Sequence, residues 1–266
     1  MSHSEEIKNG QRFEFGANWS RFLKFLNDER IRTAEKSLRS MLGVTSLEGK
    51  TFIDVGSGSG LFSLAAKHLG ARVFSFDYDP KSVACTAELR RRYYLESSDW
   101  QVEEGSALDL DYLGRLGQHD IVYSWGVLHH TGEMWQALGN VAPLVRENGK
   151  LFVAIYNDQG WISKYWTFVK RVYNSGLLGK AVMVLLHIPY LLGLRFLVRA
   201  LTGRLSVERG MSLWYDMLDW LGGYPFEVAS PEQIILFYKN KGFVLDNLKT
   251  TQGRHGCNEF VFIKSQ

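Results

Sequence analysis

The chain has 266 residues, of which 45% are apolar and 22% are charged, a composition typical of one soluble globular domain with a sizeable core. A net charge of +3 is too small to indicate nucleic-acid binding by itself, and the two cysteines, without a Cys-x-x-Cys or Cys/His cluster, argue against a disulfide framework or a structural zinc site. The polar N-terminus lacks the apolar stretch of a secretory signal, so a cytoplasmic location is expected.

Residues 1–45 are predicted to form an N-terminal helical cap. Between Trp19 and Leu42, apolar residues recur at helical spacing with charged residues between them. This pattern predicts one or two amphipathic helices that pack on the core of the remaining domain, residues 46–266.

The most informative stretch is residues 52–60, where an apolar strand runs into glycines at positions 56, 58 and 60 and then into a helical pattern. Glycine allows positive φ and lets a ligand lie against the main chain. The dinucleotide fingerprint GxGxxG would need a glycine where this chain has Leu61, and a GxxxxGK[ST] phosphate loop would need a lysine that is absent. The loop therefore predicts binding of a nucleotide-type cofactor, although it matches neither of these two phosphate-binding motifs.

Further strands follow at the spacing of an alternating βα chain. The second ends in Asp77, an acid that can accept hydrogen bonds from a ribose diol, and Pro80 opens the next helix. The remaining predicted elements are strands at Trp100–Glu104, His119–His130 and Lys150–Tyr156 (after a turn at Glu147–Gly149), a helix at Pro231–Lys241, and strands at Phe243–Leu248 and Asn258–Lys264.

The pattern Asp54-x-Gly56-x-Gly58-x-Gly60, followed by this order of strands, resembles the class I S-adenosylmethionine-dependent methyltransferases, in particular small-molecule and quinone-type O-methyltransferases. The resemblance covers about residues 46–156 and 229–264. It implies an α/β, doubly wound, Rossmann-like sheet of seven strands whose last strand is antiparallel. It also implies S-adenosyl-L-methionine as cofactor and S-adenosyl-L-homocysteine as product, in agreement with a cytoplasmic location.

The resemblance also assigns cofactor contacts. Asp54 is expected to hold the methionine amino group, Asp77 the ribose hydroxyls and Tyr78 the adenine face. Ser106 stands where the family usually carries an aspartate for the adenine amino group. The other expected cofactor-binding residues are Gly56, Ser57, Gly58, Gly60, Ala107, Ser124 and Trp125.

Residues 157–225 form an insertion that is predicted to be a helical lid over the acceptor, because in doubly wound sheets ligands bind at the carboxyl ends of the strands. It is rich in large aromatic residues, and residues 159–210 carry eight basic residues against Glu208, a net charge of +7. The expected acceptor contacts are Trp19, which belongs with Phe13, Phe15 and Asn18 to a flap over the cofactor, and Tyr156, Asn157, Trp161, Tyr165 and Arg254.

The centre of the lid, residues 177–201, is almost continuously apolar but includes Lys180, Arg195 and Arg199, which argues against a transmembrane helix. Two interpretations remain open. The segment forms two helices broken near Pro189 and packed on the domain or on a second subunit, or it touches the inner surface of a membrane and admits a lipid-like acceptor.

Three histidines are candidates for the catalytic base that an oxygen acceptor would need: His129, His130 and His255. His129 is favoured. Adjacent residues of an extended segment point in opposite directions, so at most one of His129 and His130 is expected to face the site.

The sequence therefore predicts an S-adenosylmethionine-dependent methyltransferase acting on a small or lipid-like acceptor, on oxygen and without a metal. An RNA or protein acceptor is the first alternative, because basic residues alternate with aromatic ones in the lid. The alternative from another class is a non-catalytic protein, either one that binds S-adenosylmethionine or a membrane-associated one.

Overall fold

The computed structural model describes residues 3–95, 98–194 and 213–265, and seven β-strands in these residues form one sheet. The strands are β1 (Thr51–Val55), β2 (Arg72–Asp77), β3 (Trp100–Glu104), β4 (His119–Trp125), β5 (Val145–Tyr156), β6 (Phe243–Lys249) and β7 (Cys257–Lys264). Their order across the sheet is β3-β2-β1-β4-β5-β7-β6. Strands β1 to β5 pair in parallel, and β7 runs antiparallel to both β5 and β6. The predicted seven-stranded fold with an antiparallel last strand is confirmed.

Helices cover both faces of this sheet. They are α1 (His3–Lys8), α2 (Gly16–Phe22), α3 (Asp28–Leu42), α4 (Leu61–His68), α5 (Pro80–Tyr94), α6 (Leu110–Gly114), α7 (Met134–Val141), α8 (Trp161–Asn174), α9 (Leu177–Ile188), α10 (Leu213–Gly222) and α11 (Pro231–Lys239). Local capping fixes several of their starts. The Asp79 side chain accepts a hydrogen bond from Lys81 N–H at the start of α5, and Ser230 and Gln233 form a capping box at the start of α11.

Two hydrophobic layers lie on opposite faces of the sheet. Ile53 belongs to the layer that contains α7 and α11, whereas its neighbour Phe52 belongs to the layer that contains α3, α4 and α5. Both side chains are fully buried. This alternation is expected of a parallel sheet covered on both faces, where each large buried side chain contributes about 1.5–3 kcal/mol of transfer free energy.

The N-terminal residues form three helices, of which α2 and α3 lie in the range where one or two amphipathic helices were predicted. The helical pattern breaks at Leu26, which is extended, and Asn27 then caps α3 by accepting a hydrogen bond from Arg30 N–H. Helix α3 packs its apolar face on α4, with Ile31 and Leu38 buried.

The lid has a small core of its own, built from α8, α9 and α10. Trp166, Val169 and Tyr173 lie on one face of α8 and are buried there with Met183 and Leu221. The predicted helix break occurs at Pro189, where α9 gives way to a π-helical turn at Pro189–Leu194. The rest of the segment proposed for membrane contact, residues 195–201, lies outside the described residues.

Two predicted boundaries were wrong. Strand β4 ends at Trp125 instead of reaching His130, because Gly126 adopts a φ of 74° and the chain then turns into a 3-10 helix at Leu128–His130. The predicted turn at Glu147–Gly149 lies inside β5. Asn148 takes a φ of 59° there, and the pairing register of β5 with β4 shifts at this point.

Candidate functional site

The glycine loop follows β1 at the carboxyl edge of the sheet. Gly56, Gly58 and Gly60 have φ values of 81°, 55° and 79°, a region that favours glycine. The loop is anchored to β2, because the backbone N–H groups of Gly56 and Ser57 both donate to the carbonyl of Phe76, at 2.9 and 3.0 Å. The sequence therefore places glycine main chain at the edge where doubly wound folds bind their ligands.

Asp77 ends β2 beside this loop. Its Oδ2 accepts a hydrogen bond from Gly58 N–H at 2.8 Å, and its Oδ1 accepts one from Asp79 N–H at 2.9 Å. Burial raises the pKa of Asp77 to about 6, an effect that the two backbone donors oppose. Because a carboxylate offers about four lone-pair positions, each oxygen of Asp77 retains capacity for one more donor, such as a hydroxyl.

Asp54 lies in a different environment, within the layer between the sheet and α4. Ser63 Oγ donates to Asp54 Oδ2 at 2.5 Å and lies 2.8 Å from Ser75 Oγ, which in turn accepts from Trp100 Nε1 at 2.9 Å. Burial raises the pKa of Asp54 to about 7. The Asp54 carboxyl is thus held by a buried network of serine hydroxyls. If Asp54 binds the methionine amino group as predicted, that group lies beside this network.

The remaining expected cofactor residues lie along the same edge. Ser106 and Ala107 follow β3, where Ser106 Oγ accepts a hydrogen bond from Leu108 N–H at 3.1 Å and Ala107 is buried. Ser124 is buried within β4 and donates to the carbonyl of Val55 at 2.9 Å, while Trp125 is half-buried at the end of that strand. The structure thus joins Ser124 to the backbone of β1.

Residues 3–22, termed the N-terminal strap, cross this edge from β2 to β4. At one end Gly16 N–H donates to Asp79 Oδ2 at 2.7 Å. At the other end Arg12 donates to the carbonyl of His130 at 2.8 Å and pairs with Glu6 at 2.5 Å. Between them, a Cβ on Gly58 would lie only 3.1 Å from Nε1 of Trp19. The strap therefore covers the glycine loop, where the sequence places a flap.

Tyr78 ties the strap to the end of β2. Its hydroxyl donates to Glu6 Oε1 at 3.2 Å, and the guanidinium carbon of Arg12 lies 5.0 Å from the centre of its ring. The ring of His3 also packs edge-on against Tyr78, with centroids 5.3 Å apart. The aromatic face that the resemblance assigns to adenine is in contact with the strap.

His129 and His130 lie in the 3-10 turn after β4. The prediction that only one of them faces the site assumed an extended segment, and this segment is not extended. Both rings pack against Tyr156, with centroids 4.2 and 5.6 Å away. His129 Nδ1 accepts a hydrogen bond from Tyr156 N–H at 3.3 Å, and His130 Nδ1 lies 2.6 Å from the carbonyl oxygen of Pro225.

Burial dominates the ionisation of both rings. It lowers the pKa of His129 well below its ordinary value and that of His130 to about 3. The positive charge of Lys170 lowers both pKa values further. Both imidazoles are therefore neutral near neutral pH, the form in which a histidine can accept a proton.

An aromatic cluster closes the site from the lid side. The Tyr156 ring lies 5.7 Å from Trp220 and 5.1 Å from Phe226, measured between centroids. Lys170 is almost fully buried, with Nζ 4.5 Å from the centre of the Trp220 ring and 4.7 Å from that of Phe226, and it donates to the carbonyl of Trp220.

Sequence reasoning counted Lys170 only as part of the lid's charge. Burial of Lys170 could have been predicted from helical periodicity. It lies four residues after Trp166 and three before Tyr173, on the buried face of α8.

The loop between β6 and β7 reaches the same cluster. The ring of His255 lies 5.6 Å from Trp220 and 6.1 Å from Trp166, whereas Arg254 is exposed. Asn157 holds the loop in place, since its N–H donates to the carbonyl of Gly256 at 3.0 Å and its Oδ1 accepts from Asn258 at 2.9 Å.

Two expected acceptor residues lie on the outer side of the lid. Trp161 is 75% exposed and Tyr165 is 45% exposed. The Tyr165 hydroxyl lies 2.8 Å from Nε2 of His187. In this conformation the structure does not bring Trp161 into the buried cluster around Tyr156.

The described part of the chain has neither a candidate metal cluster nor a candidate transmembrane helix. No group of three or more His, Cys, Asp or Glu residues that could hold a metal ion occurs there. None of its helices is long and apolar enough to cross a lipid bilayer.

Comparison with known proteins gives a consistent result. Residues 53–151 match the family described as "Methyltransferase domain". Ubiquinone biosynthesis O-methyltransferase of Rhodopseudomonas palustris (strain HaA2) is 25% identical over 141 residues, which cover 53% of this chain and 52% of that protein. The enzyme of the same name from Xanthomonas oryzae pv. oryzae (strain PXO99A) is 32% identical over 114 residues, covering 42% and 45%. The chain thus aligns with about half the length of these curated relatives.

Solved structures share the fold across most of the chain. Magnesium protoporphyrin IX methyltransferase from Synechocystis PCC 6803, with bound S-adenosylhomocysteine, superposes with a TM-score of 0.53 at 15% identity, covering 88% of this chain and 83% of that one. A methyltransferase from Aquifex aeolicus that depends on S-adenosylmethionine superposes with a TM-score of 0.52 at 13% identity, covering 92% and 98%. At these identities the likeness establishes the fold alone.

Proposed function

The chain has the methyltransferase domain and the fold of the class I S-adenosylmethionine-dependent methyltransferases, and we propose that it transfers a methyl group from S-adenosylmethionine to an oxygen of a small or lipid-like acceptor. The observation that carries the proposal is the junction of the glycine loop with Asp77, where Gly58 N–H donates to the carboxylate that ends β2. This junction brings the main chain of the glycine loop and a carboxylate together at one sheet edge.

The residues present fit S-adenosylmethionine. Glycines at three alternate positions let the loop backbone adopt positive φ, and each oxygen of Asp77 keeps lone-pair capacity for a ribose hydroxyl. Asp54 supplies a second acid beside the loop for the positively charged methionine end. Bound there, the cofactor supplies an activated methyl group on a sulfonium, so that transfer needs mainly a correctly placed acceptor.

The acceptor is proposed to lie between the 3-10 turn that carries His129 and His130 and the aromatic cluster of the lid. Tyr156 packs against both histidines, against Trp220 of the lid and against Phe226 just after it, so these rings meet around Tyr156 at the end of β5. An apolar wall with a few polar groups is the usual lining of a small-molecule site. The names of the curated relatives agree with an acceptor on oxygen.

Label transfer tests this proposal. The purified protein is incubated with methyl-labelled S-adenosylmethionine and separate fractions of cell extract, and wild type is compared with Asp77→Ala. We expect label in an organic-extractable small molecule with the wild type, and loss of that label with the variant. Label in RNA or protein would overturn the acceptor class. Bound cofactor without transfer to any fraction would favour a non-catalytic protein.

Cofactor affinity is expected to depend on the ionisation of Asp77. Because the pKa of Asp77 in the free protein is about 6, its carboxylate is mostly protonated at about pH 5 and ionised at about pH 7. A protonated carboxyl loses acceptor capacity, so affinity for S-adenosylmethionine should rise about tenfold between these two pH values. Isothermal titration calorimetry at several pH values measures this dependence.

The Asp77→Asn variant is the control for that measurement, since it keeps the size of the side chain but cannot ionise. It should bind the cofactor weakly and lack most of the pH dependence. A residual dependence centred near pH 7 would report Asp54, whose pKa is about 7. Equal affinity of wild type at about pH 5 and pH 7 would contradict the assigned role of Asp77.

Membrane contact through the lid is proposed as the way in which a lipid-like acceptor is reached. Leu177, Leu178, Leu185 and Leu186 of α9 are between 65% and 88% exposed. Residues 161–190 contain no Asp or Glu, and their charged residues are lysines and Arg171. An apolar surface flanked only by positive charge matches the surface of an anionic bilayer.

Vesicle sedimentation tests the contact. Wild type should bind vesicles that contain anionic lipid, and the double variant Leu178→Glu/Leu185→Glu should bind them at least about tenfold more weakly, because it loses apolar burial and gains negative charge. Leu110→Glu/Leu236→Glu is the matched control, since these leucines are 63% and 56% exposed elsewhere. Equal weakening by both double variants would contradict a specific contact through α9.

A further inference from the structure

The two neighbouring histidines have opposite hydrogen-bonding polarity. His129 Nδ1 accepts the hydrogen bond of Tyr156 N–H, and a backbone N–H can only donate. Nδ1 of His129 therefore carries a lone pair, and the proton of the neutral ring is on Nε2. That Nε2 is buried and has no hydrogen-bond partner in the described structure, although a buried N–H is costly to leave unpaired.

His130 shows the reverse arrangement. Its Nδ1 lies 2.6 Å from the carbonyl oxygen of Pro225, and a carbonyl oxygen can only accept. Nδ1 of His130 therefore carries the proton, and its Nε2 presents a lone pair. The carbonyl of Pro225 fixes this tautomer in the way that a carboxylate or carbonyl fixes a catalytic imidazole.

The rings are close enough to act on one group. Their centroids are 4.5 Å apart, and both lie against Tyr156. One imidazole N–H and one imidazole lone pair match the needs of a hydroxyl, which donates its proton to an acceptor and accepts a hydrogen bond on its oxygen. A carboxylate would require two donors, and an amine nitrogen that accepted from His129 would have no lone pair left for methyl transfer, whereas a hydroxyl oxygen has two.

Resting on the proposed function, we propose that His130 Nε2 is the base that takes the proton of the acceptor hydroxyl, and that His129 donates from Nε2 to the same oxygen. The oxygen then forms a bond to the methyl carbon while the carbon–sulfur bond breaks and its electron pair stays on sulfur. His130, whose other nitrogen stays hydrogen-bonded to Pro225, holds the proton only transiently because its pKa is low, and passes it to water. The base is thus His130 and not His129, the residue that the sequence favours.

Nitrogen NMR of the imidazoles tests the assignment without any acceptor. Two-bond proton–nitrogen spectra of protein labelled with ¹⁵N-histidine distinguish the two neutral tautomers, and the His129→Gln and His130→Asn variants identify the signals. We expect His129 in the Nε2–H form and His130 in the Nδ1–H form near neutral pH. The same tautomer at both positions, or a charged ring at either, would overturn the proposal.

A kinetic comparison tests the division of roles, with the extract fraction that accepts label from the wild type as substrate. His130→Asn keeps a donor for Pro225 but removes the base, so transfer should fall about 10²–10⁴-fold while cofactor affinity is retained. His129→Gln keeps an N–H near the Nε2 position and should lose less activity than His129→Leu, which removes it. Equal loss in both His129 variants, or activity retained in His130→Asn, would overturn the assigned roles.

The two proposals fail in different ways. If the wild type transfers label to no fraction, the proposed methyltransferase activity is contradicted, while the tautomers seen by NMR still decide the hydrogen-bonding assignment. If label is transferred but both rings show one tautomer, the methyltransferase proposal stands and the assignment of His130 as base falls.

Discussion

Replacing Gly56 with alanine is expected to weaken the binding of S-adenosylmethionine by at least about 100-fold, equivalent to about 3 kcal/mol. The φ of 81° at Gly56 costs an alanine about 1–2 kcal/mol. The added Cβ would also lie 2.3, 2.7 and 2.9 Å from the three side-chain carbons of Val127, so that rotation of that side chain does not relieve the overlap. The loop must then move away from Phe76, to which it is hydrogen-bonded.

Titration calorimetry with S-adenosylmethionine measures this effect. Gly114→Ala is the matched control, because Gly114 ends α6 and no atom lies within 4 Å of an added Cβ there. The control should bind the cofactor as the wild type does. An affinity of Gly56→Ala within about threefold of wild type, in a variant that still unfolds cooperatively, would contradict the role of the glycine loop.

The parts of the site that the sequence predicted are those set by local chemistry. The glycine loop and Asp77 each follow a buried strand directly, and in a parallel sheet the carboxyl ends of β1 and β2 must meet at one edge. A strand, a turn and a capped helix are all specified within about ten residues. The fold could therefore be assigned from such signals in chain order.

The arrangement of the histidines required information that no local pattern contains. The tautomer of His129 depends on Tyr156, and that of His130 depends on Pro225, 95 positions further along the chain. The turn could not be predicted from the sequence, because apolar residues continue from the end of β4 past Gly126 without a polar residue between them. The prediction that only one ring faces the site therefore rested on an extended segment that the structure does not have.

The lid shows a second limit of sequence patterns. Its aromatic residues were assigned to an acceptor pocket by composition, but composition does not distinguish the inner from the outer face of a helix. On α8, Trp166 and Tyr173 are buried, whereas Trp161 and Phe168 are 75% and 60% exposed. The buried Lys170 shares the inner face with Trp166, because α8 packs on α9 and α10 and positions four residues apart lie on one side.

Replacing Arg12 with alanine is expected to release the N-terminal strap and to increase the dissociation rate of bound S-adenosylmethionine by about 10–100-fold. Arg12 donates to the carbonyls of His130 and Thr131, at 2.8 and 3.4 Å, and pairs with Glu6, which in turn accepts from Tyr78. Hydrogen bonds from a charged donor contribute about 1.5–3 kcal/mol each, so the loss of one such bond accounts for this range.

Stopped-flow displacement of the cofactor and limited proteolysis measure the two consequences together, since a detached strap should be cut faster by a protease. Arg32→Ala is the matched control, because Arg32 is exposed on α3 away from the strap. Faster cleavage with an unchanged dissociation rate would mean that the strap only packs on the domain. Faster cleavage and faster dissociation together would mean that the strap, together with the Tyr78 ring that Arg12 contacts, retains the cofactor.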